Sequence, residues 1–410
     1  MRIAYICTTF PKLSEQFFLR EVLELQGQGV DLELYSMFGG SDDSEAGAVE
    51  RMHVKDWLIL PLEVIYWSMA KPKVIGAMLC KLAPWAYRSW TNFGENLLGL
   101  AFGFRFARRF RSPEYKYTHA TWATAPGMFA SLVERLTGLP YTLEAHAYDV
   151  FRDGGDAYLL EKLSRARAVR SSTEATTEEL RRRLEMGIQQ GAIERAPAVE
   201  CVRRGLASVP PFTGISLKEE VAPIRVISVG RLIEKKGFFK QLEIYKHWHA
   251  QGIAFEAEIV GEGPIRRQLE DAISRLGLGD KVHLVGKLDY QSVVELYQKS
   301  SLFLFTGLVS SSGDRDGFPN VIGEAMAYSL PVFSTDVSGT AEGVLDGDRG
   351  TIIDTEDPEK ASTRILEVLQ DMNRLEAMTR AAHEWILSEF QVSSNVSKLR
   401  RMLWGSSGHI

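Results

Sequence analysis

The sequence predicts an α/β protein built from two doubly wound, mostly parallel sheets. Three observations lead there. Short apolar runs alternate with helix-period stretches along nearly the whole chain, which is the signature of parallel strands joined by crossover helices. At 410 residues the chain is too long for one comfortable hydrophobic core. A Pro-containing, locally charged break from Val209 to Pro223 then separates two such strand–helix series. We therefore expect an N-terminal Rossmann-like domain over 1–209, a linker over 210–223, a second Rossmann-like domain over 224–385, and a C-terminal helix within 386–410 packing back on the first domain.

In the first series, Ile3 to Cys7 reads as a buried strand, Glu15 to Gly27 as an amphipathic helix closed by Gly, and Asp31 to Ser36 as an alternating strand. The connection Thr8 to Ser14 lies past the carboxyl end of the first strand, where open α/β sheets bind ligands; Ser14 also suits a helix N-cap. Further strands are expected at Tyr117–Thr121, Tyr141–Ala145, Ala168–Ser172 and Ala198–Val202, with helices at Met128–Leu136, Ala157–Arg165 and Glu174–Met186.

Between Ile65 and Ser112 the character changes. Lys71, Lys73, Lys81, Arg88, Arg105, Arg108, Arg109 and Arg111 are opposed within that window only by Glu95, and they are interleaved with Trp and Phe. Two helical segments broken near Pro72 and Pro84 fit the pattern. Basic and aromatic residues on such helices suit an anionic membrane surface. Helices packing on a sheet with basic outer faces fit equally well, since aromatic stripes are commonly core.

The second series runs through strands at Arg225–Val229, Phe255–Val260, Lys281–Val285, Leu302–Phe305, Pro331–Ser334 and Gly350–Ile353, and helices fill residues 361–403. Two of its strand ends carry chemistry. After the first comes Gly230-Arg-Leu-Ile-Glu-Lys-Lys-Gly237, where a Gly admits close approach and Arg231 and Lys236 can meet phosphate oxygens, Arg bidentately and Lys as a point charge. After the fourth comes Ser312 to Ala327, a Gly-rich turn opening a helix. Pro319 suits the first helical position, and the unpaired N–H groups there can hold ligand oxygens. Asp316 lies in the turn and Glu324 about one helical turn inside. An ordinary strand–loop–helix joint with solvated acids is the alternative.

Composition narrows the classes. A formal charge of −5 gives no global reason to expect nucleic acid. Cys7, Cys80 and Cys201 lie too far apart to suggest a disulfide framework or a CxxC metal site, which points to a reducing compartment. No uncharged apolar segment approaches the roughly 20 residues that span a bilayer.

The second half resembles the retaining nucleotide-sugar glycosyltransferases of the GT-B fold, family 4. The carrying motifs are the Gly-Arg-Leu…Lys-Gly turn at 230–237, Val260-Gly-Glu-Gly-Pro264, Val285-Gly-Lys-Leu288, Asp316-Gly-Phe-Pro-Asn320, Glu324-Ala-Met-Ala327 and Gly339-Thr-Ala-Glu-Gly343, in family order. Phe10 to Glu15 and Ala145 to Phe151 are similar to the branch containing colanic-acid-type exopolysaccharide transferases. The resemblance implies two Rossmann-like domains facing a cleft, with the donor in the second. Arg231 and Lys236 would grip the diphosphate, Glu324 the ribose, and Asp316 the donor sugar. Gly230, Gly317, Phe318, Pro319 and Asn320 would line the donor, Gly286, Lys287 and Leu288 would lie by the base, and His146 would face the anomeric centre. His119 receives no role, because Thr121 stands where the family often has a second His. Asp316 replaces the usual Glu, one methylene shorter.

The implied activity is retaining, metal-independent hexosyl transfer from a UDP-sugar to a lipid-linked or glycan acceptor in surface polysaccharide or glycolipid synthesis. No cofactor beyond that co-substrate is expected, no nucleic acid, and a place on the inner face of the cell membrane through the 65–112 segment. A GT-B-fold epimerase, a phosphorylase, or a non-catalytic scaffold relative are the alternatives.

Overall fold

The computed structural model describes residues 2–12, 15–40, 44–80, 83–206, 208–215 and 223–404. Ser14, Lys81 and the charged Lys218-Glu-Glu220 of the expected linker lie outside the described residues. The chain forms two compact units, one comprising the residues up to Ala207 together with those from Val392 on, the other Ser208–Gln391.

The first unit holds a seven-stranded parallel sheet of β1 (Arg2–Thr9), β2 (Asp31–Phe38), β3 (Val49–Glu50), β4 (Tyr115–Ala120), β5 (Tyr141–Glu144), β6 (Ala168–Ser171) and β7 (Ala198–Cys201). Their order is β3-β2-β1-β4-β5-β6-β7. The direction of winding reverses between β1 and β4, and open sheets bind ligands past the carboxyl ends of strands at such a point. Side chains of β1 alternate between two cores. Ala4 and Ile6 join the cluster containing Phe102, Phe106, Phe129 and Leu143, whereas Ile3, Tyr5 and Cys7 join Phe18, Val22 and Leu25. A strand buried on both faces has no polar side to show, which is why these runs read as continuously apolar. The helix Val392–Trp404 belongs to the second of those cores through Val396, Leu399, Met402 and Leu403. Gly205 lets the helix come that near, since a Cβ there would stand 2.5 Å from the Val392 Cα.

The second unit repeats the plan with β8 (Ile224–Val229), β9 (Phe255–Val260), β10 (Val282–Gly286), β11 (Leu302–Phe305), β12 (Val332–Ser334) and β13 (Thr351–Ile352), in the order β10-β9-β8-β11-β12-β13. All pairings are parallel. Its reversal lies between β8 and β11. These are the strands whose following loops carry Lys236 and Asp316.

The segment around 65–112 departs from expectation. Its first helix starts earlier, at Val54, and runs to Ala70 with Pro61 inside; Pro72–Cys80 and Trp90–Phe106 follow. Glu95 is not the only acid opposing the basic residues. Arg105 pairs with Asp56 at 2.7 Å, Arg108 with Glu63 at 2.6 Å, and Arg109 with Glu33 and Glu50. Arg111 donates to the Tyr66 hydroxyl at 3.0 Å. The window 65–112 cut off those acids, which come from the part of the helix Val54–Ala70 ahead of Ile65 and from β2 and β3. The aromatic residues divide as well: Trp67, Phe102, Phe106 and Phe110 are core, while Trp85 and Trp90 are exposed.

Candidate active site

In the second unit, three neighbouring strand ends are stripped of side chains. Gly261 after β9 has φ +144, and a Cβ there would fall 1.9 Å from the Gly230 carbonyl oxygen after β8. Gly286, ending β10 with φ +86, accepts from the Gly261 N–H at 2.8 Å. At Gly261 no L side chain fits against the Gly230 main chain, so the loops after β8 and β9 interlock through their backbones, and the Gly261 N–H ties them to the end of β10. Gly237, at φ +67, does the same between β8 and β11, since a Cβ would lie 1.8 Å from the Thr306 carbonyl oxygen.

The loops at the reversal point are then tied by side chains. Leu308 N–H donates to the Lys235 carbonyl at 2.9 Å, and Ser311 donates through its N–H and hydroxyl to Glu234 at 2.8 and 2.9 Å. Lys235 sits 3.0 Å from Asp314 and 3.4 Å from Asp316. Lys236 Nζ lies 2.7 Å from Asp316 Oδ2, its stem along Gly230 and its ammonium 5.4 Å from the centre of the Phe305 ring. Burial alone would push the Asp316 carboxyl up, but Lys236 and Lys235 hold it below the ordinary value. Asp316 is therefore an anion at neutral pH. Arg231 is exposed, and among the described residues its guanidinium has no partner.

The helix Asn320–Ala327 begins one residue later than expected. Pro319 has ψ 124 and serves as N-cap, not as the first helical residue. Among the described residues, the N–H groups of Gly317, Phe318 and Asn320 make no hydrogen bond, and they precede a helix end that favours anionic oxygens. The Phe318 ring packs instead on Trp385 and Phe390, at 5.4 and 5.3 Å between centres. Glu324 accepts from the Tyr297 hydroxyl at 3.4 Å. Burial pushes that phenol well up and the Glu324 charge adds to it, so Tyr297 keeps its proton to donate. Lys287 is exposed and Leu288 half-buried just past β10. A cavity of ≈ 1000 Å³ near the ends of β11 to β13, with Asp336 and Arg364 in its wall, takes in none of these residues.

In the first unit, His146 stands past β5 as the N-cap of the short helix Ala147–Phe151, beside the Trp122 ring. Beneath it lies a buried charge network that sequence reasoning missed. Glu144 meets Arg170 at 2.6 Å and Arg204 at 2.5 Å, and Arg170 also holds Glu21 at 2.7 Å. His119 joins through Glu144 at 3.2 Å and Thr142 at 2.8 Å. Burial would raise the Glu144 carboxyl, yet Arg170 and Arg204 hold it well below the usual range. His146 Nε2 is 3.1 Å from Glu144 and 3.0 Å from Arg204, and Nδ1 is 3.2 Å from the Ser172 hydroxyl. Burial pushes the His146 imidazole down to about 4, the bond to Glu144 offsetting part of that and Arg204 adding to it. It is neutral at physiological pH. The available signal was Glu144 and Arg170 standing as the lone charges inside otherwise uncharged strands.

Residues 216–385 match the family model "Glycosyl transferases group 1". The chain carries a group 1 glycosyltransferase domain. Its fold is GT-B, with two parallel-sheet Rossmann-like units. The glycosyltransferase WcaL of Salmonella typhimurium, assigned to colanic acid biosynthesis, is 32% identical over 193 residues, 47% of this chain and 48% of WcaL. The chain thus matches about half the length of that relative. The amylovoran biosynthesis glycosyltransferase AmsK of Erwinia amylovora is 25% identical over 95% of this chain and 96% of its own. Among solved structures, Anabaena Alr3699/HepE in complex with UDP-glucose superposes with a TM-score of 0.68 at 15% identity, covering 98% of this chain and 99% of that one. Within this group 1 domain fall all the predicted residues from Gly230 to Glu324.

Proposed function

We propose that the protein is a retaining glycosyltransferase that moves a hexose from a UDP-sugar to a lipid-linked or glycan acceptor in exopolysaccharide or glycolipid synthesis. The observation that carries this reading is the Lys236–Asp316 pair across two loops at the reversal point of the group 1 glycosyltransferase domain. A cation and an anion placed there, beside unpaired N–H groups, suit a ligand with both a diphosphate and hydroxyls. The biosynthetic names of WcaL and AmsK support the product class, and the UDP-glucose complex of HepE supports the donor.

Arg231 and Lys236 neutralise the diphosphate, Glu324 accepts from the ribose hydroxyls, and Asp316 accepts from the donor sugar. Gly230, Gly317, Phe318, Pro319 and Asn320 line the donor, and Gly286, Lys287 and Leu288 flank the base. In transfer, the bond from the anomeric carbon to the diphosphate oxygen breaks first, taking its electron pair to the departing UDP. The acceptor hydroxyl then bonds to the same face, and its proton passes to the diphosphate. Rate comes from charge stabilisation and positioning, with no metal required. Neutral His146 serves as the first unit's polar contribution to transfer. The protein works as a peripheral membrane enzyme on the inner face.

A panel of nucleotide sugars, screened first for thermal stabilisation and then for UDP release with an extracted lipid-linked acceptor, tests this reading. Turnover should persist in EDTA and give a product of retained anomeric configuration by NMR. Donor binding with no release under any acceptor condition would favour a scaffold role instead.

A further inference from the structure

The helix Val54–Ala70 is turned inside out. Its acids, Asp56 and Glu63, each 3% exposed, point inward to Arg105 and Arg108. Apart from Trp67, which is core, its most exposed apolar side chains point outward: Val54 is 80% exposed, Leu58 75%, Leu62 66%, Ile65 56%, Met69 80% and Trp57 47%. Those spacings of three, four and seven place them on one stripe of the helix. Single exposed apolar residues are ordinary, but a stripe four turns long is not. Leu79, Trp85 and Trp90, in the segments that follow, enlarge the exposed apolar surface.

Charge says what covers the stripe. From 54 to 104 the sequence has only three acids, Asp56, Glu63 and Glu95, and Glu95 is tied to Tyr148 and Arg152. None of the three is exposed, whereas Lys55, Lys71, Lys73 and Arg88 are. Lys55 stands at the rim of the stripe, and Lys71 and Lys73 at its carboxyl end. Within residues 54–104 the surface is therefore apolar with a cationic border and no exposed carboxylate, and Glu50, which shares a cleft with Lys55, has its charge met by Arg109 at 3.3 Å. Such a face is complementary to a leaflet bearing anionic headgroups over acyl chains, where Trp and Leu enter the boundary region and Lys stays at headgroup level.

We propose that the outward stripe of the helix Val54–Ala70 is the face by which this protein lies on an anionic lipid leaflet. This inference rests on the peripheral membrane reading above, but it moves the contact away from Arg105, Arg108 and Arg109, whose charges are internally paired. Since the contacting residues are already exposed and make no core contact, changing them leaves the fold intact.

The test uses the full chain, sedimented with vesicles of phosphatidylcholine alone or mixed with phosphatidylglycerol. The parent should pellet with the mixed vesicles and much less with the neutral ones. L58E/L62E/I65E should lower partitioning about tenfold or more with an unchanged thermal midpoint, because three leucine-sized groups would no longer enter the boundary. K71Q/K73Q should lose the preference for anionic vesicles. If the triple variant pellets like the parent, the stripe is not the contact face, although the membrane reading stands. If the parent pellets with neither vesicle, the membrane reading fails and this inference with it. Equal pelleting with both vesicles overturns the anionic requirement. A parent that is dimeric without lipid and a triple variant that is monomeric would assign the stripe to a second copy, overturning the proposal.

Discussion

At the scale of single residues, the proposed chemistry rests most on the pair Lys236–Asp316. Lys236→Ala removes the cation that would face the departing diphosphate. UDP release should fall at least about a hundredfold, with the unfolding midpoint little changed, since the removed side chain is not core. Full activity in that variant would defeat the assignment. His146 supports a second expectation, in the pH dependence of stability. Its imidazole is pushed down to about 4 from an ordinary 6.5, so between those values the unfolded chain binds more protons than the folded one. Stability from this group is complete above about 6.5 and is lost as pH falls toward 4. Urea titrations over that window should show a shallower pH slope for His146→Asn than for the parent. An unchanged slope would mean that the imidazole does not titrate as its buried setting demands.

At the scale of elements, the interlocked strand ends are the features that sequence motifs reported without explaining. Gly-Arg-Leu at 230–232 and Val-Gly-Glu-Gly at 260–263 look like separate signatures along the chain. They are two halves of one contact, in which Gly261 passes against the Gly230 carbonyl. Gly261→Ala should therefore cost about 2 kcal/mol or more, from a forced left-handed backbone together with a clash against main chain. Chemical denaturation would read this. A cost within a few tenths of a kcal/mol would show that the loops can part. The helix Val54–Ala70 teaches the opposite lesson. Its sequence is apolar nearly all round, and such a pattern says nothing about which side faces inward. The direction was settled by Arg105 and Arg108, some 45 to 49 residues away, drawing Asp56 and Glu63 inward.

At the scale of the whole molecule, the first unit is completed by residues that follow the second in sequence. Leu399 and Leu403 are fully buried against the core that includes Phe18 and Leu25. Leu399→Ala should destabilise that unit by about 2 to 5 kcal/mol, the range for a large-to-small change in a packed core. Limited proteolysis should then show earlier cleavage within residues 1–207 than within 208–391. Equal protection of both would mean that the C-terminal helix adds little to the unit.

What the amino-acid sequence determined by itself was local and periodic. Strand after strand falls where the apolar runs are, and Phe255–Val260 and Leu302–Phe305 coincide with expectation at both ends. Short-range sterics and burial on two faces write those signals directly into neighbouring residues. The Gly-rich turns that carry Arg231, Lys236 and Asp316 were likewise legible as joints at strand ends, because Gly and Pro mark where a strand gives way to a helix. Only the tertiary structure decided which charges meet. The Glu144–Arg170–Arg204 network under His146, the tie of Lys235 to Asp314, and the pairs of Arg105 with Asp56 and Arg108 with Glu63 all join residues distant along the chain. Coulombic pairing depends on distance through space, and no periodicity along the sequence records it.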